Sequence, residues 1–201
     1  MKEKMKEAFL LTDQEREFLM MARGIRCYYG FSETSAPMDR SRGTQCLFRL
    51  MKKGLIRREE EAFKIYEDLS RCLDLTGKAE EALLVTAPEC PGRMIYMAGE
   101  EAAVWEVQPL RPHTVCVWSC KSWEWAMDLL EDGYFSGLPG LECSAALYCN
   151  RSGRKLRQLT QTALGLSVFC RWEEGETIRE AACEPEKLPV FLEQWRKGEL
   201  L

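Results

Sequence analysis

Apolar runs separated by turn residues dominate the chain after residue 79. The turn sequences "PECPG", "GEE" and "PLRP" divide the first of these runs into four predicted strands, and a helix follows over about 122–132. After the Gly-rich joint "DGYFSGLPG" the same order returns and ends in a helix that closes near residue 197. The predicted strands cover 82–87, 93–98, 102–108, 114–120, 142–149, 154–161, 166–173 and 176–182.

The two predicted helices carry similar apolar stripes at helical spacing. The first stripe is formed by Trp123, Ala126, Met127 and Leu130. The second stripe lies 65 residues later and is formed by Leu188, Phe191, Leu192 and Trp195. The pair Trp105-Glu106 also returns as Trp172-Glu173. These matches predict an internal ββββα duplication, with repeat one at about 82–132 and repeat two at about 142–197. The alternative is two unrelated meanders of similar length.

The first part of the chain, residues 1–78, has a helical pattern. Thr12 and Glu15 form a capping-box signature for a helix that runs to about Arg23. A second helix is predicted over 42–53, and the segment "GLIRREEEAFKI" then predicts a short hairpin before a third helix. A helix followed by a hairpin is typical of winged-helix domains. We therefore predict an α+β fold: a helical, winged-helix-like part (1–78) followed by a duplicated ββββα part (79–201). We expect the duplicated part to form one or two antiparallel sheets with pseudo-two-fold symmetry and to pack as one compact unit.

Composition limits the classes of protein that fit. Charged residues make up 30% and hydrophobic residues 46% of the 201-residue chain, which is typical of a folded protein. No apolar run is long enough for a membrane span or a signal peptide, so we expect a cytoplasmic protein. The ten cysteines form no C-x-x-C pair, and a single histidine is present. We expect structural thiols, with no metal and no cofactor.

Catalytic motifs are absent from the sequence. His113 is the one histidine, in a predicted turn, and no nucleophile elbow, phosphate-binding loop or dinucleotide fingerprint occurs. We predict that the protein is not an enzyme. A DNA-binding regulator is the alternative, because helix 42–53 would present Arg42, Gln45, Arg49 and Lys53 to a duplex. Three glutamates at the hairpin tip (59–61) and the net charge of −4 oppose phosphate binding and disfavour nucleic acid as a partner.

Aromatic residues in Gly-containing loops favour a protein-binding function. The predicted partner-binding residues are Tyr28, Tyr29, Phe31, Trp118, Tyr134 and Phe135. Burial between the two repeats is the alternative for each of them. If they are exposed, replacing Tyr134 and Phe135 by serine weakens partner capture and leaves folding intact.

The order of elements resembles that of the EspG-type chaperones of type VII (ESX) secretion systems. The residues that carry the resemblance are "LTDQEREFL", "LFRLMKKGLI", "RMIYMAGEEAAVWEV" and "RKLRQLTQTALGLSVFCRWEEGETIRE". The resemblance implies an antiparallel sheet with helices in a quasi-two-fold arrangement. It also implies binding of the tips of helical-hairpin export substrates in the cytoplasm. We therefore predict a non-catalytic adaptor or chaperone whose partner is another protein.

Overall fold

The computed structural model describes residues 7–25, 28–30, 38–122, 124–134, 142–164, 167–174 and 177–200. The first part of the chain contains β1 (Phe9–Thr12), α1 (Asp13–Ala22), α2 (Arg40–Lys52), β2 (Ile56–Glu59), β3 (Ala62–Ile65) and α3 (Glu67–Lys78). Four strands and a helix follow: β4 (Glu81–Thr86), β5 (Arg93–Ala98), β6 (Glu101–Val107), β7 (Thr114–Lys121) and α4 (Glu124–Glu131). The same order then returns with β8 (Glu142–Cys149), β9 (Lys155–Leu164), β10 (Ser167–Glu174), β11 (Thr177–Cys183), a short 3-10 helix (Pro185–Lys187) and α5 (Leu188–Lys197).

Nine of these strands form one antiparallel sheet in the order β1-β7-β6-β5-β4-β8-β9-β10-β11. The two groups of four strands join at the central β4–β8 pair, where Leu83 lies opposite Leu147. From this pair outward, each group adds its strands one hairpin at a time in opposite directions. The order of these eight strands is therefore symmetric about β4 and β8, and β1 extends one side only. The prediction of an α+β fold built on an antiparallel sheet is confirmed.

The sheet has two faces with different coverings. One face, here called face A, packs against α4 and α5 in a core that includes Trp125, Leu129, Leu192 and Trp195. The opposite face, face B, is covered over β5, β6 and β7 by the N-terminal helices, and Trp105 is fully buried there. Both halves of the sheet share the helical covering on face A, whereas the N-terminal helices cover one half of face B.

Helix α1 begins as the sequence predicts. The Thr12 hydroxyl accepts a hydrogen bond from the Glu15 amide, and the Glu15 carboxylate accepts one from the Thr12 amide. The Lys53 ammonium donates to the same buried carboxylate at 2.6 Å, which ties the end of α2 to the start of α1. The capping-box glutamate therefore also links the two helices.

The predicted stripe of the first repeat helix is wrong in part. Met127 is exposed, and the buried residues of α4 are Trp125, Ala126 and Leu129. Trp123 lies outside the described residues. Because Trp125 and Leu129 stand 63 residues before Leu188 and Leu192, the buried positions of the two helices match at a different offset from the one that the sequence suggested.

The recurrence of Trp-Glu is not a structural equivalence. Trp105 packs in the core on face B, whereas Trp172 packs in the core on face A. Successive side chains of a strand alternate between the two faces of the sheet. Both repeats place their helix on face A, so equivalent residues of the two repeats must lie on the same face. Trp105 and Trp172 lie on opposite faces and are therefore not equivalent. The ββββα element order is observed, but this pair of residues does not support it.

Candidate protein-binding groove

Two of the predicted partner-binding residues lie in the core of face A. Trp118 is 8% exposed and Tyr134 is 3% exposed. The Tyr134 hydroxyl donates to the Pro91 carbonyl oxygen, and the buried Arg93 guanidinium stands 4.6 Å from the centre of the Tyr134 ring and 5.3 Å from that of Trp118. For both residues the structure therefore shows the burial alternative, in which the aromatic ring packs around a charged group.

Arg93 itself joins three parts of the fold. It donates to Glu106 on the neighbouring strand and to Asp132 after α4, both at 2.6 Å. A buried guanidinium is stable when carboxylates and aromatic faces surround it, as they do here. Trp118 and Tyr134 thus stabilise an ion-pair network, and neither ring is presented to a partner.

Tyr28 and Tyr29 border the sheet on face B. Tyr28 packs edge-on against Tyr96, and Tyr29 stacks on Tyr148 of β8 with ring centres 3.9 Å apart. The buried Asn150 side chain accepts a hydrogen bond from the Tyr29 amide at 2.9 Å. Both tyrosines are half-buried, so they stay predicted contacts for a partner. Phe31 and Phe135 lie outside the described residues.

A groove of about 940 Å³ lies on the N-terminal part of the described residues and is here called the hairpin groove. It lies between α1, α2, the β2–β3 hairpin and α3. Its floor is apolar and is formed by the buried or half-buried side chains of Phe18, Leu47, Ile56, Ile65 and Leu75. Charged residues surround that floor, among them Arg23, Lys64, Glu67, Asp68, Arg71, Asp74, Lys78 and Glu101.

Ion pairs fix part of the charged rim. Arg23 at the end of α1 pairs with Asp74 of α3, and Arg71 of α3 pairs with Glu101 of β6. The hydrogen bond from Arg71 lowers the pKa of the Glu101 carboxyl, so this pair remains charged at neutral pH. These two pairs therefore tie α3 to the end of α1 and to β6 at the edge of the groove.

The β2–β3 hairpin forms one wall of the groove. It is a two-stranded sheet separate from the main sheet, and Arg58 lies opposite Phe63 in its register. Phe63 is 52% exposed although it is a large apolar residue at the groove. The sequence does not single out Phe63, since the surrounding segment "EEEAFKI" is mostly charged and the exposure of Phe63 follows from the position of the hairpin. An exposed phenylalanine facing a concave apolar floor is the arrangement expected of a binding anchor.

The residues of the DNA-binding alternative have structural partners. Arg49 donates to the side chains of Gln14 and Gln45, and Lys53 is bound to Glu15. Arg42 donates its backbone N–H to Asp39, the N-cap of α2. Nothing in the arrangement favours a duplex over these intramolecular contacts.

Candidate chemistry elsewhere is limited. The side chain of His113 is 87% exposed and its Nδ1 lies 3.2 Å from an Asp13 oxygen, on the turn between β6 and β7. Nine cysteines in the described ranges are free thiols, and five of them are buried. Across those same ranges, no cluster of three or more histidine, cysteine or acidic side chains is placed to hold a metal ion. No helix that the structure describes is long and apolar enough to cross a membrane.

The fold defines a class of α+β proteins that includes a secretion chaperone. The chain is similar to EspG5, a type VII secretion system chaperone of Mycobacterium tuberculosis, which was solved in complex with the PE25-PPE41 dimer. The TM-score is 0.58 over 93% of this chain and 95% of EspG5, at 9% sequence identity. No family model matches the chain, and no curated protein matches its sequence. The predicted resemblance to EspG-type chaperones is confirmed at the level of the fold.

Proposed function

We propose that this protein is a non-catalytic cytoplasmic adaptor or chaperone that binds a helical segment of another protein in the hairpin groove. The observation that carries the proposal is the groove itself, with an apolar floor, a charged rim and an exposed phenylalanine. Grooves of this kind bind amphipathic helices through residues on one helical face. The fold shared with EspG5, a type VII secretion system chaperone solved in complex with the PE25-PPE41 dimer, supports a type VII secretion substrate as the partner.

The size of the groove fits a short helical segment. A helix is about 10 Å across and rises 1.5 Å per residue, so a volume of 940 Å³ corresponds to about two helical turns. Two turns present about three apolar side chains on one face, enough to cover the floor. The tip of a helical hairpin has this length, and the rim charges would fix its register and direction.

Two exposed phenylalanines allow a matched test of the proposal. Phe63 lines the groove, whereas Phe48 on α2 is 65% exposed and lies outside the residues that line it. We expect Phe63→Ser to weaken binding about 10- to 30-fold, because a central aromatic anchor contributes about 2 kcal/mol. Phe48→Ser should leave the affinity unchanged. Both variants should fold, since neither side chain is buried.

The measurement is isothermal titration calorimetry with purified helical-hairpin proteins encoded beside the gene. Circular dichroism and thermal unfolding of each variant serve as controls for folding. Equal affinity of the Phe63→Ser and Phe48→Ser variants for a partner that binds the unmodified protein would refute the assignment of the hairpin groove.

A further inference from the structure

The two edges of the nine-stranded sheet differ in their protection. Strand β1 forms one edge with four residues, and the Lys53 ammonium donates to the Leu10 carbonyl oxygen of that edge at 3.2 Å. Strand β11 forms the other edge with seven residues, Thr177–Cys183, and among the described strands it pairs with β10 alone. One edge is short and carries a covering side chain, and the other is long.

Strand β11 is anchored at one end and accessible at the other. Ala181 and Cys183 pack against the core of face A, which holds the end of the strand in place. Residues 177–180 are exposed on both faces of the sheet. Seven residues span about 23 Å, and alternate residues of an edge strand direct their N–H and C=O groups away from the sheet. This backbone can therefore form hydrogen bonds with a further strand.

The sequence of β11 disfavours pairing with a second copy of itself. In an antiparallel pair, two residues that lie opposite each other point to the same face of the sheet. When two copies of one strand pair about a two-fold axis, the residue at the axis therefore lies opposite the same residue of the other copy. The register that overlaps all seven residues centres on Glu180 and opposes two carboxylates. A register centred on Arg179 opposes two guanidinium groups, and one centred on Ala181 retains only five of the seven residues. Like charges in direct opposition destabilise a strand pair.

A different strand with the reverse charges meets none of these penalties. Arg171 of β10 lies opposite Glu180, with Nε and Oε1 3.8 Å apart, so a partner cation beside Glu180 would continue an alternating row of charges on face B. We propose that β11 binds an extended segment of another polypeptide in antiparallel orientation. That segment carries a basic residue opposite Glu180, followed by an acidic residue opposite Arg179. This site lies on the main sheet, apart from the hairpin groove, and does not depend on the function proposed for that groove.

Short synthetic peptides test the proposal with the full-length protein. The probe is a fluorescent nine-residue peptide of alternating threonine and valine with Lys-Glu at its centre, and the matched control has Glu-Lys. We expect Lys-Glu to bind more tightly in fluorescence anisotropy by about threefold to tenfold, since each cross-strand charge pair contributes a small factor. Glu180→Lys should weaken binding of the Lys-Glu peptide about threefold or more. Hydrogen exchange of amides in 177–183 should slow when the peptide is bound.

Backbone methylation separates strand pairing from side-chain binding. In a bound strand, every second backbone N–H of the peptide faces β11, and the remaining N–H groups face solvent. One methylated peptide carries its methyl groups on the nitrogens that face β11, and a second carries them on the nitrogens that face solvent. We expect one methylated peptide to lose binding and the other to retain it. Equal effects of the two methylation patterns, unchanged amide exchange in β11, or a concentration-dependent dimer of the protein without peptide would each overturn the proposal.

Discussion

Replacing Asn150 is the most informative test of how the two parts of the molecule are joined. Its side chain is fully buried after β8 and makes three hydrogen bonds with backbone groups from two other parts of the chain. Its Nδ2 donates to the carbonyl oxygens of Thr76 and Ala79, both at 3.0 Å, at the end of α3. Its Oδ1 accepts from the Tyr29 amide. The side chain therefore links the N-terminal helices, the Tyr28–Tyr29 segment and the hairpin between β8 and β9.

The size of the effect follows from these three bonds. Asn150→Ala leaves one buried N–H group and two carbonyl oxygens without this partner, and each lost hydrogen bond costs about 1 kcal/mol. We expect the free energy of unfolding to fall by about 3 kcal/mol. For a chain of this size, Tm should fall by about 6–12 °C.

Asn150→Asp adds a dependence on pH that the alanine variant lacks. The introduced carboxylate keeps the acceptor for Tyr29 but places negative charge against the two carbonyl oxygens that the amide nitrogen bonds. Burial and these oxygens raise the folded-state pKa of the introduced carboxyl above about 3.9, its unfolded value. The penalty is therefore greatest above the folded-state pKa and disappears as the pH falls below the unfolded value.

Urea unfolding of the three proteins between pH 4 and pH 8 measures both effects, with tryptophan fluorescence as the probe. If Asn150→Ala lowers the free energy of unfolding by less than about 1 kcal/mol, water replaces most of these hydrogen bonds and the reasoning is refuted. The same pH dependence for Asn150→Asp and the unmodified protein would show that the introduced carboxylate does not face the carbonyl oxygens.

Three further predictions concern other contacts of the fold. Lys53→Met should lower the free energy of unfolding by about 2 kcal/mol in urea titrations, because the buried Glu15 carboxylate loses its ammonium partner. Lys52→Met is the matched control, and equal stability of the two variants would contradict the role of the Lys53–Glu15 pair. Tyr134→Ser should lower the free energy of unfolding by about 3 kcal/mol, since a buried ring and a hydrogen bond are lost. The sequence analysis instead predicts intact folding for this change, and an unchanged Tm would contradict the burial of Tyr134. Iodoacetamide at pH 8 should label Cys149 first, because the Ser152 hydroxyl lowers the pKa of that thiol. Burial raises the pKa of the Cys143 and Cys170 thiols to about 12. Peptide mass spectrometry measures the order of labelling, and equal labelling rates would refute this prediction.

The sequence predicts the elements of this fold well where local signals mark them. The strands of the sheet after residue 79 lie within about three residues of their predicted bounds, because Gly and Pro turns separate alternating or apolar runs. The capping box placed the start of α1 for a similar reason, since the signal consists of a few adjacent residues. Strand β1 was missed because four residues, Phe9–Thr12, become a strand only through pairing with β7.

The candidate site was harder to predict than the fold. The sequence predicts the loop aromatics as anchors, yet Tyr134 is held in the core beside Arg93, a residue 41 positions earlier in the chain. Phe63 is the opposite case, since it stands in a mostly charged segment and the position of the hairpin makes it part of the groove lining. Exposure of one side chain depends on the packing of distant elements, and periodicity within a short window does not contain that information.

The position of β1 has a consequence for the order in which the molecule assembles. Most strand pairs in the sheet are hairpins between neighbours in sequence, which form quickly, but β1 pairs with β7, so that Thr12 lies opposite Thr114. During synthesis on a ribosome, β1 can pair with β7 only after about a hundred further residues have emerged. Until then β1 lacks the strand with which it pairs, which makes docking of this first strand a late step of folding.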